Sequence, residues 1–336
     1  MNYFNLCTKI IINIMIVDNT SFYSIALMMG KTDSFFCYLM KIINNKTFVY
    51  TEMMHAETII RTNILDNYKM VGDLSNIAVQ IAGNSPTSLV KAAKKAENYG
   101  FSEINLNCGC PSKNVVAGDF GITLLLNPNL VQECVLSMKE AVKSEISVKT
   151  RIGINYEDNE QLLDDFIGII NTTGIKKYVI HARNGVLGNM TTKKNLTIPI
   201  LKYERVYKLK KKFSNNNIII NGGFLEANHY EIFHKKIDGI MIGREAYKNP
   251  WIFYNTKELS LKIKKEVILK YLEHLKKIFN YKKFNNNALY HIQNIFNGHN
   301  GAKNWRKEVN YAIHNNDLQP LFNFIQCDSL NEFKGV

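Results

Sequence analysis

Eight short runs of β-branched and apolar residues recur along the chain, and most are followed by a stretch with helical periodicity. The runs are YSIALM (23–28), TFVYTE (47–52), IAVQIA (77–82), EINLN (103–107), ISVKT (146–150), KYVIHA (177–182), NIIING (217–222) and DGIMIG (238–243). Amphipathic stretches lie between them at 87–100, 127–143, 157–174, 201–213 and 225–236. Gly100 suits a helix C-cap and Pro128 a helix start. Eight strands alternating with helices predict a (β/α)8 TIM barrel. A doubly wound sheet is the competing arrangement, but no GxGxxG follows any of these runs.

The pattern changes after about residue 255. Two long segments, 257–284 and 288–315, read as helices without a strand signal. The expected organisation is therefore an N-terminal extension (1–21), a barrel (22–250) and an all-α domain (251–336). A chain of 336 residues accommodates a barrel of ~250 residues and such an appendage.

Charge adds a functional constraint. The chain carries 42 Lys+Arg against 29 Asp+Glu, a net charge of +13. The segment 251–336 holds 13 Lys+Arg and 7 Asp+Glu, and 262–283 alone has eight lysines against two glutamates. A solvated helix face explains such a run; a phosphate-tracking surface explains it as well. No apolar run reaches the ~18 residues needed to cross a bilayer. The N-terminal CTKIIINIMIV has a short apolar core after a lysine but is interrupted by Asn13. An added strand or a leader, organellar ones included, is compatible with it. Asparagine runs at 214–217 and 284–288 read as polar loop filler.

Polar residues gather where chemistry collects in a barrel, at the C-terminal strand ends. Gln80 lies in the third run and Asn107 ends the fourth. Lys149 and Arg151 close the fifth, His181 and Arg183 the sixth. Asn221, Gly222 and Gly223 close the seventh, Gly243 and Arg244 the eighth. Glycine turns after the last two strands suit a phosphate site, because a bare backbone approaches an anion closely. Arg244 adds a bidentate contact. Lys149 and His181 then face a cofactor that becomes anionic on reduction, and Gln80 the polar edge of its ring. A flavin, FMN first among them, fits that description.

One stretch leaves three readings open. NLNCGCPSKN (105–114) sets Cys108 and Cys110 one glycine apart. It suits a metal site, a redox pair, or a single working thiol with a neighbour. The six cysteines include no CxxC and no cluster at zinc spacing, which disfavours a structural metal and suggests a reducing compartment.

The chain resembles the tRNA-dihydrouridine synthases, most closely the bacterial DusA branch, from about residue 22 to 310. The resemblance rests on ALMMGKTD (26–33), YTEM (50–53), QIAG (80–83), EINLNCGCPS (103–112), GDFG (118–121), VKTRIGI (148–154), HARNGVLG (181–188), IPILKY (198–203), NGG (221–223), DGIMIGREAYKNP (238–250) and GAKNWR (301–306). It implies a flavin barrel followed by a helical tRNA-binding domain, and a cytoplasmic enzyme. It implies FMN as prosthetic group, NADPH as reductant, and reduction of the C5=C6 bond of D-loop uridine at position 20 or 20a. Cys110 takes the place of the active-site cysteine and Asn107 that of the uracil-contacting asparagine, with Arg183 also toward substrate. Cofactor contacts fall on Met28, Gln80, Lys149, His181, Asn221, Gly222, Gly223, Gly243 and Arg244. A thiol near its usual pKa of ~8.5 is protonated at neutral pH, so Cys110 suits a proton donor. Asn107 is expected to pair with the base through both ends of its amide. Cys108 is then a bystander and no metal is expected. Leu27 departs from the proline usual there, and GITLLL (121–126) from the usual small residues. The competing function is an FMN barrel acting on a free pyrimidine, which needs no basic helical platform.

Overall fold

The protein is described by a computed structural model covering residues 22–156, 159–188, 190–225, 236–254, 259–280 and 283–327. Each of the eight runs forms a strand: β1 (Phe22–Ile25), β2 (Phe48–His55), β3 (Ile77–Ala82), β4 (Glu103–Cys108), β5 (Glu145–Arg151), β6 (Lys177–His181), β7 (Asn217–Asn221) and β8 (Gly239–Ile242). They pair in chain order, all parallel, and β8 closes on β1. The register sets Gln80 beside Asn105, Asn107 beside Lys149, Arg151 beside His181 and His181 beside Asn221.

Strand alternation explains what each run contributes. In β4, Ile104, Leu106 and Cys108 join the main core between sheet and helices. Glu103, Asn105 and Asn107 occupy the alternate positions, which face the barrel axis. One part of the interior is apolar, filled by Ala26, Tyr50, Ala78, Val179, Ile219 and Met241 with Leu27 and Phe48 packed on them. Leu27 therefore serves as interior packing. The rest is polar and buried.

The surrounding helices are α1 (Ser34–Ile43), α2 (Ala56–Arg61), α3 (Pro86–Asn98), α4 (Lys113–Ala117), α5 (Pro128–Ala141), α6 (Glu160–Asn171), α7 (Tyr203–Lys212) and α8 (Arg244–Lys248). Local signals set their ends. Pro86 and Pro128 open α3 and α5, behind N-caps Ser85 and Asn127 whose side chains accept from Ser88 and Leu130 N–H. Gly100, at φ +93°, follows the end of α3. Helix α5 buries Val131, Cys134, Val135 and Met138, each apolar side chain contributing roughly 1.5–3 kcal/mol on burial. The extension at 1–21 and nearly all of the helix expected at 225–236 lie outside the described residues.

The chain continues as α9 (Leu261–Phe279), α10 (Asn286–Tyr290), α11 (Ala302–Asn315) and α12 (Gln319–Gln326), with no strand among the described residues after β8. The segment 288–315 is not the continuous helical run its composition suggests. Turns fill it between α10 and α11, with Gly298 and Gly301 at φ +83° and +86°. Helices α9 and α10 dock on α1. Tyr38 stacks on His274 with centroids 3.7 Å apart, and His291 Nε2 lies 2.9 Å from Asp33 Oδ1, the N-cap of α1. Trp251 Nε1 donates to Ile295 O at 2.8 Å.

Cys108 has no exposed surface and lies beside Cys134 of α5, its thiol pushed well up by burial. Cys108→Ala should cost stability by about 1 kcal/mol through the lost sulfur packing. A lower melting temperature with unchanged turnover is the expected pair of measurements.

Candidate active site

The loop after β4 is built around Cys110. Gly109 lets the loop lie close to β5, where a Cβ would stand 3.1 Å from the Thr150 backbone carbon. Asn107 Oδ1 accepts from the N–H of Gly109 at 3.2 Å and of Cys110 at 3.0 Å. Arg151, on β5, donates from Nε to Gly109 O at 2.9 Å and from Nη1 to Asn184 O and Asn195 O. Cys110 O accepts from Ile122 N at 3.1 Å. Gly121 must be glycine, since its φ is +67° and a Cβ would lie 2.7 Å from Cys110 O. The result is a half-buried thiol, 3.5 Å from Ser112 Oγ, on a tightly tethered loop.

Asn107 differs from its sequence expectation. Its Oδ1 is saturated by two backbone N–H groups, and Nδ2 donates to Gln80 Oε1 at 2.5 Å. One N–H remains, so the amide cannot pair with a base through both ends. Gln80 is fully enclosed, with Nε2 donating to Asn105 Oδ1 at 2.7 Å, and also retains one N–H.

Beside this loop the strands crowd cations together. Lys149 Nζ donates to Asn221 Oδ1 at 3.1 Å. Burial first, and Arg151 second, push the Lys149 ammonium down to about 7, against an opposing pull from Cys110. His181 is held well below its ordinary value by burial and then by Arg151, Lys149, Arg183 and Arg244, so its imidazole is neutral. Burial also lowers Arg183, whose Nη1 reaches Pro199 O and whose buried Nε has no hydrogen-bond partner. Burial and like charge together cost folding energy, so the arrangement suits an anion.

The ends of β7 and β8 form the adjoining wall. Asn221 Nδ2 donates to Met241 O at 2.8 Å. Gly222 and Gly223 have φ of +119° and +75°. A Cβ on Gly222 would meet His181 Cδ2 at 2.8 Å, and one on Gly223 would meet Leu201 Cδ1 at 2.4 Å. Gly243, with Met28 Sδ 3.9 Å from its Cβ position, leads into α8, whose first residue Arg244 is exposed and donates to Leu196 O. The strand ends thus bring together Met28, Lys149, His181, Arg183, Asn221, Gly222, Gly223, Gly243 and Arg244, with Gln80 and Asn107 beneath. The glycine wall fits a phosphate-bearing cofactor, and the unpartnered Arg183 Nε leaves a donor for a further ligand.

The sequence reading missed the support beneath this group. Asn105, Ser147 and Glu103 continue inward from Gln80, and Asn195 is buried with its carboxamide on Val186 N and O. The signal was present in β4, where Glu, Asn and Asn occupy every second position of a buried strand. Two lysine groups are engaged within the protein. In the run 208–212, Lys208, Lys210 and Lys212 pair with Glu160, Asp238 and Asp164. Lys264 is buried, with Nζ 2.9 Å from His299 Nε2. Among the described residues no three His, Cys, Asp or Glu side chains stand together as a metal site, and no helix is long and apolar enough to cross a membrane.

A family model for dihydrouridine synthase matches residues 24–330. The chain belongs to the dihydrouridine synthase family. This dihydrouridine synthase is accordingly an oxidoreductase. It is 34% identical over 293 residues to the tRNA-dihydrouridine(20/20a) synthase of Synechocystis sp., covering 85% of this chain and 87% of that one. It is 39% identical over 232 residues to the Escherichia coli (strain K12) protein of the same name, covering 68% and 67%. Among solved structures, morphinone reductase aligns over 69% of this chain and 84% of its own, with TM-score 0.50 and 10% identity, a likeness of fold.

Lys149 couples this site to stability. Its folded value of about 7 lies below the ~10.4 of an unfolded lysine. Between those values the unfolded chain binds a proton that the folded chain does not, so this group makes stability rise with pH across that window. Lys149→Met should raise the melting temperature of cofactor-free dihydrouridine synthase near pH 7. The advantage over wild type should shrink toward pH 10. Melting curves of both proteins across this range check the sign.

Proposed function

We propose that this dihydrouridine synthase reduces the C5=C6 bond of a D-loop uridine in tRNA, with FMN as prosthetic group, NADPH as reductant and Cys110 as proton donor. The observation that carries the reading is a single half-buried thiol tethered by Asn107 and Arg151 beside a buried cation cluster. Both relatives are tRNA-dihydrouridine(20/20a) synthases, which supports position 20 or 20a as the target.

Gly222, Gly223, Gly243 and Arg244 would hold the phosphate of FMN, with Met28 beside Gly243. Gln80, Lys149, His181 and Asn221 would face the ring. Bound there in its reduced form, FMN would supply the hydride for C6 of the uracil. Cys110 then delivers its proton to C5, and the negative charge left on sulfur lies in the field of Lys149 and Arg151. Ser112 Oγ, 3.5 Å from Sγ, is the neighbouring hydroxyl through which a proton returns. Asn107 offers its remaining N–H to a carbonyl of the base, and Arg183 offers Nε. The neutral His181 donates or accepts a hydrogen bond without adding charge.

A uridine inside folded RNA must leave its stack to reach this mouth, so the enzyme needs a wide grip on the RNA. The region from 251 onward supplies it. On α9, Lys262, Lys270, Lys276 and Lys277 are exposed on one face, followed by exposed Lys283. A free pyrimidine needs no such face, which disfavours the small-molecule alternative. The five described cysteines are all free, in keeping with a reducing, cytoplasmic setting.

Flavin-loaded enzyme incubated with NADPH and unmodified tRNA should yield dihydrouridine by mass spectrometry, and its absence would overturn the reading. Cys110→Ala should lower kcat by roughly 10²- to 10⁴-fold and keep the flavin spectrum. Separately, charge reversal of Lys262, Lys270, Lys276 and Lys277 should weaken tRNA binding and flatten its dependence on salt. An unchanged slope removes this face from the interface.

A further inference from the structure

The carboxamides and the hydroxyl inside the barrel form one unbroken chain of hydrogen bonds with a direction. Its lower end is Glu103, whose Oε2 is ion-paired with Lys177 Nζ at 2.6 Å. A carboxylate only accepts. Ser147 therefore gives its single hydroxyl hydrogen to Glu103 Oε1, which leaves Ser147 Oγ to accept. Asn105 meets that oxygen with Nδ2 at 2.7 Å, which turns its Oδ1 toward β3. Gln80 answers with Nε2 at 2.7 Å, which turns its Oε1 toward Asn107. Asn107 answers with Nδ2 at 2.5 Å, which turns its Oδ1 onto the N–H groups of Gly109 and Cys110. This upper end is equally one-sided, because a backbone N–H only donates.

The two ends of a carboxamide have nearly the same shape, so packing alone does not orient it. Here both termini of the chain select the same orientation. Glu103, Ser147, Asn105 and Gln80 have no exposed surface and Asn107 only 4%. No bulk water reaches them to repair a reversed link. A donor facing a donor, or an acceptor an acceptor, strands a buried polar group at a cost of about 1–3 kcal/mol.

Resting on the reading of Asn107 and Cys110 as the reacting end of the site, we propose that Glu103, Ser147 and Asn105 are positioning residues. They form a directional relay, anchored by the Glu103 carboxylate at the base of the barrel, that fixes which way Gln80 and Asn107 face and so holds the Cys110 loop. None of the three reaches substrate. The relay ensures that Gln80 and Asn107 each have an N–H, never a C=O, left to offer a ligand.

Substitutions at one position separate polarity from packing. Ser147→Ala removes the hydroxyl that accepts from Asn105 Nδ2 and donates to Glu103, which frees the line from its lower anchor, whereas Ser147→Thr keeps that hydroxyl. The readouts are the iodoacetamide alkylation rate of Cys110 and its backbone amide resonance in ¹⁵N-cysteine-labelled protein, together with kcat and KM for tRNA. Ser147→Ala should alkylate several-fold faster, shift the Cys110 amide resonance upfield and lower kcat about tenfold with KM unchanged; Ser147→Thr should stay close to wild type. Equal behaviour of the two overturns the relay. Should Ser147→Ala fail to fold, Ser147→Val, which has the shape of threonine without its hydroxyl, takes its place with the same expected and overturning results. Wild-type protein that makes no dihydrouridine would sink the functional reading alone, because the alkylation and amide readouts need no turnover.

Discussion

A barrel interior excludes water, so every polar group placed there needs a partner inside the protein. That constraint organises this molecule. β2 through β7 send Tyr50, Gln80, Glu103, Asn105, Asn107, Ser147, Lys149, Lys177 and Asn221 into hydrogen bonds, most of them crossing between strands. The ion pair of Glu103 and Lys177 anchors the base of this network. Burying such a pair is no cheap route to stability, since desolvation offsets most of the Coulombic gain. Its clearer consequence is orientation: a fixed charge at one end dictates donors and acceptors along the line to the mouth.

The mouth itself shows the opposite balance. Lys149, Arg151, His181 and Arg183 stand together, and burial disfavours the charged form of each. Backbone carbonyls take up part of the guanidinium hydrogen-bonding capacity. Arg151 holds Gly109, Asn184 and Asn195, and Arg183 holds Thr197 and Pro199. The same side chains thereby stitch the loops after β4, β5 and β6 to one another. Positive charge does double duty, as structural clamp and as a field waiting for an anion.

The barrel was legible because its signal is periodic. Eight apolar runs read as eight strands, and Pro86, Pro128 and Gly100 mark helix ends through purely local chemistry. The polar strand ends were legible for the same reason, since a chain that alternates strand and helix puts them all at one rim. What escaped was whatever depends on partners distant in sequence. Lys264 reads as another surface lysine until the turns before α11 bring His299 against it. Lys208, Lys210 and Lys212 look like free charges until the fold brings Glu160, Asp238 and Asp164 against them. The turns between α10 and α11 depend on left-handed glycines that helical periodicity does not register.

Asn107 shows how the two kinds of information meet. It stands three residues before Cys110, and the family resemblance implies that both touch the substrate. The fold adds that its oxygen is already engaged by the Cys110 N–H and its nitrogen by Gln80. An amide bound on both ends is a poor partner for a base edge but a rigid template for a turn. The spacing of three has a backbone reason as well: it lets the asparagine oxygen cap the N–H groups of the next two loop residues. The thiol is therefore oriented by the strand that precedes it. The orientation of that strand's asparagine is inherited, link by link, from a carboxylate at the far end of the barrel.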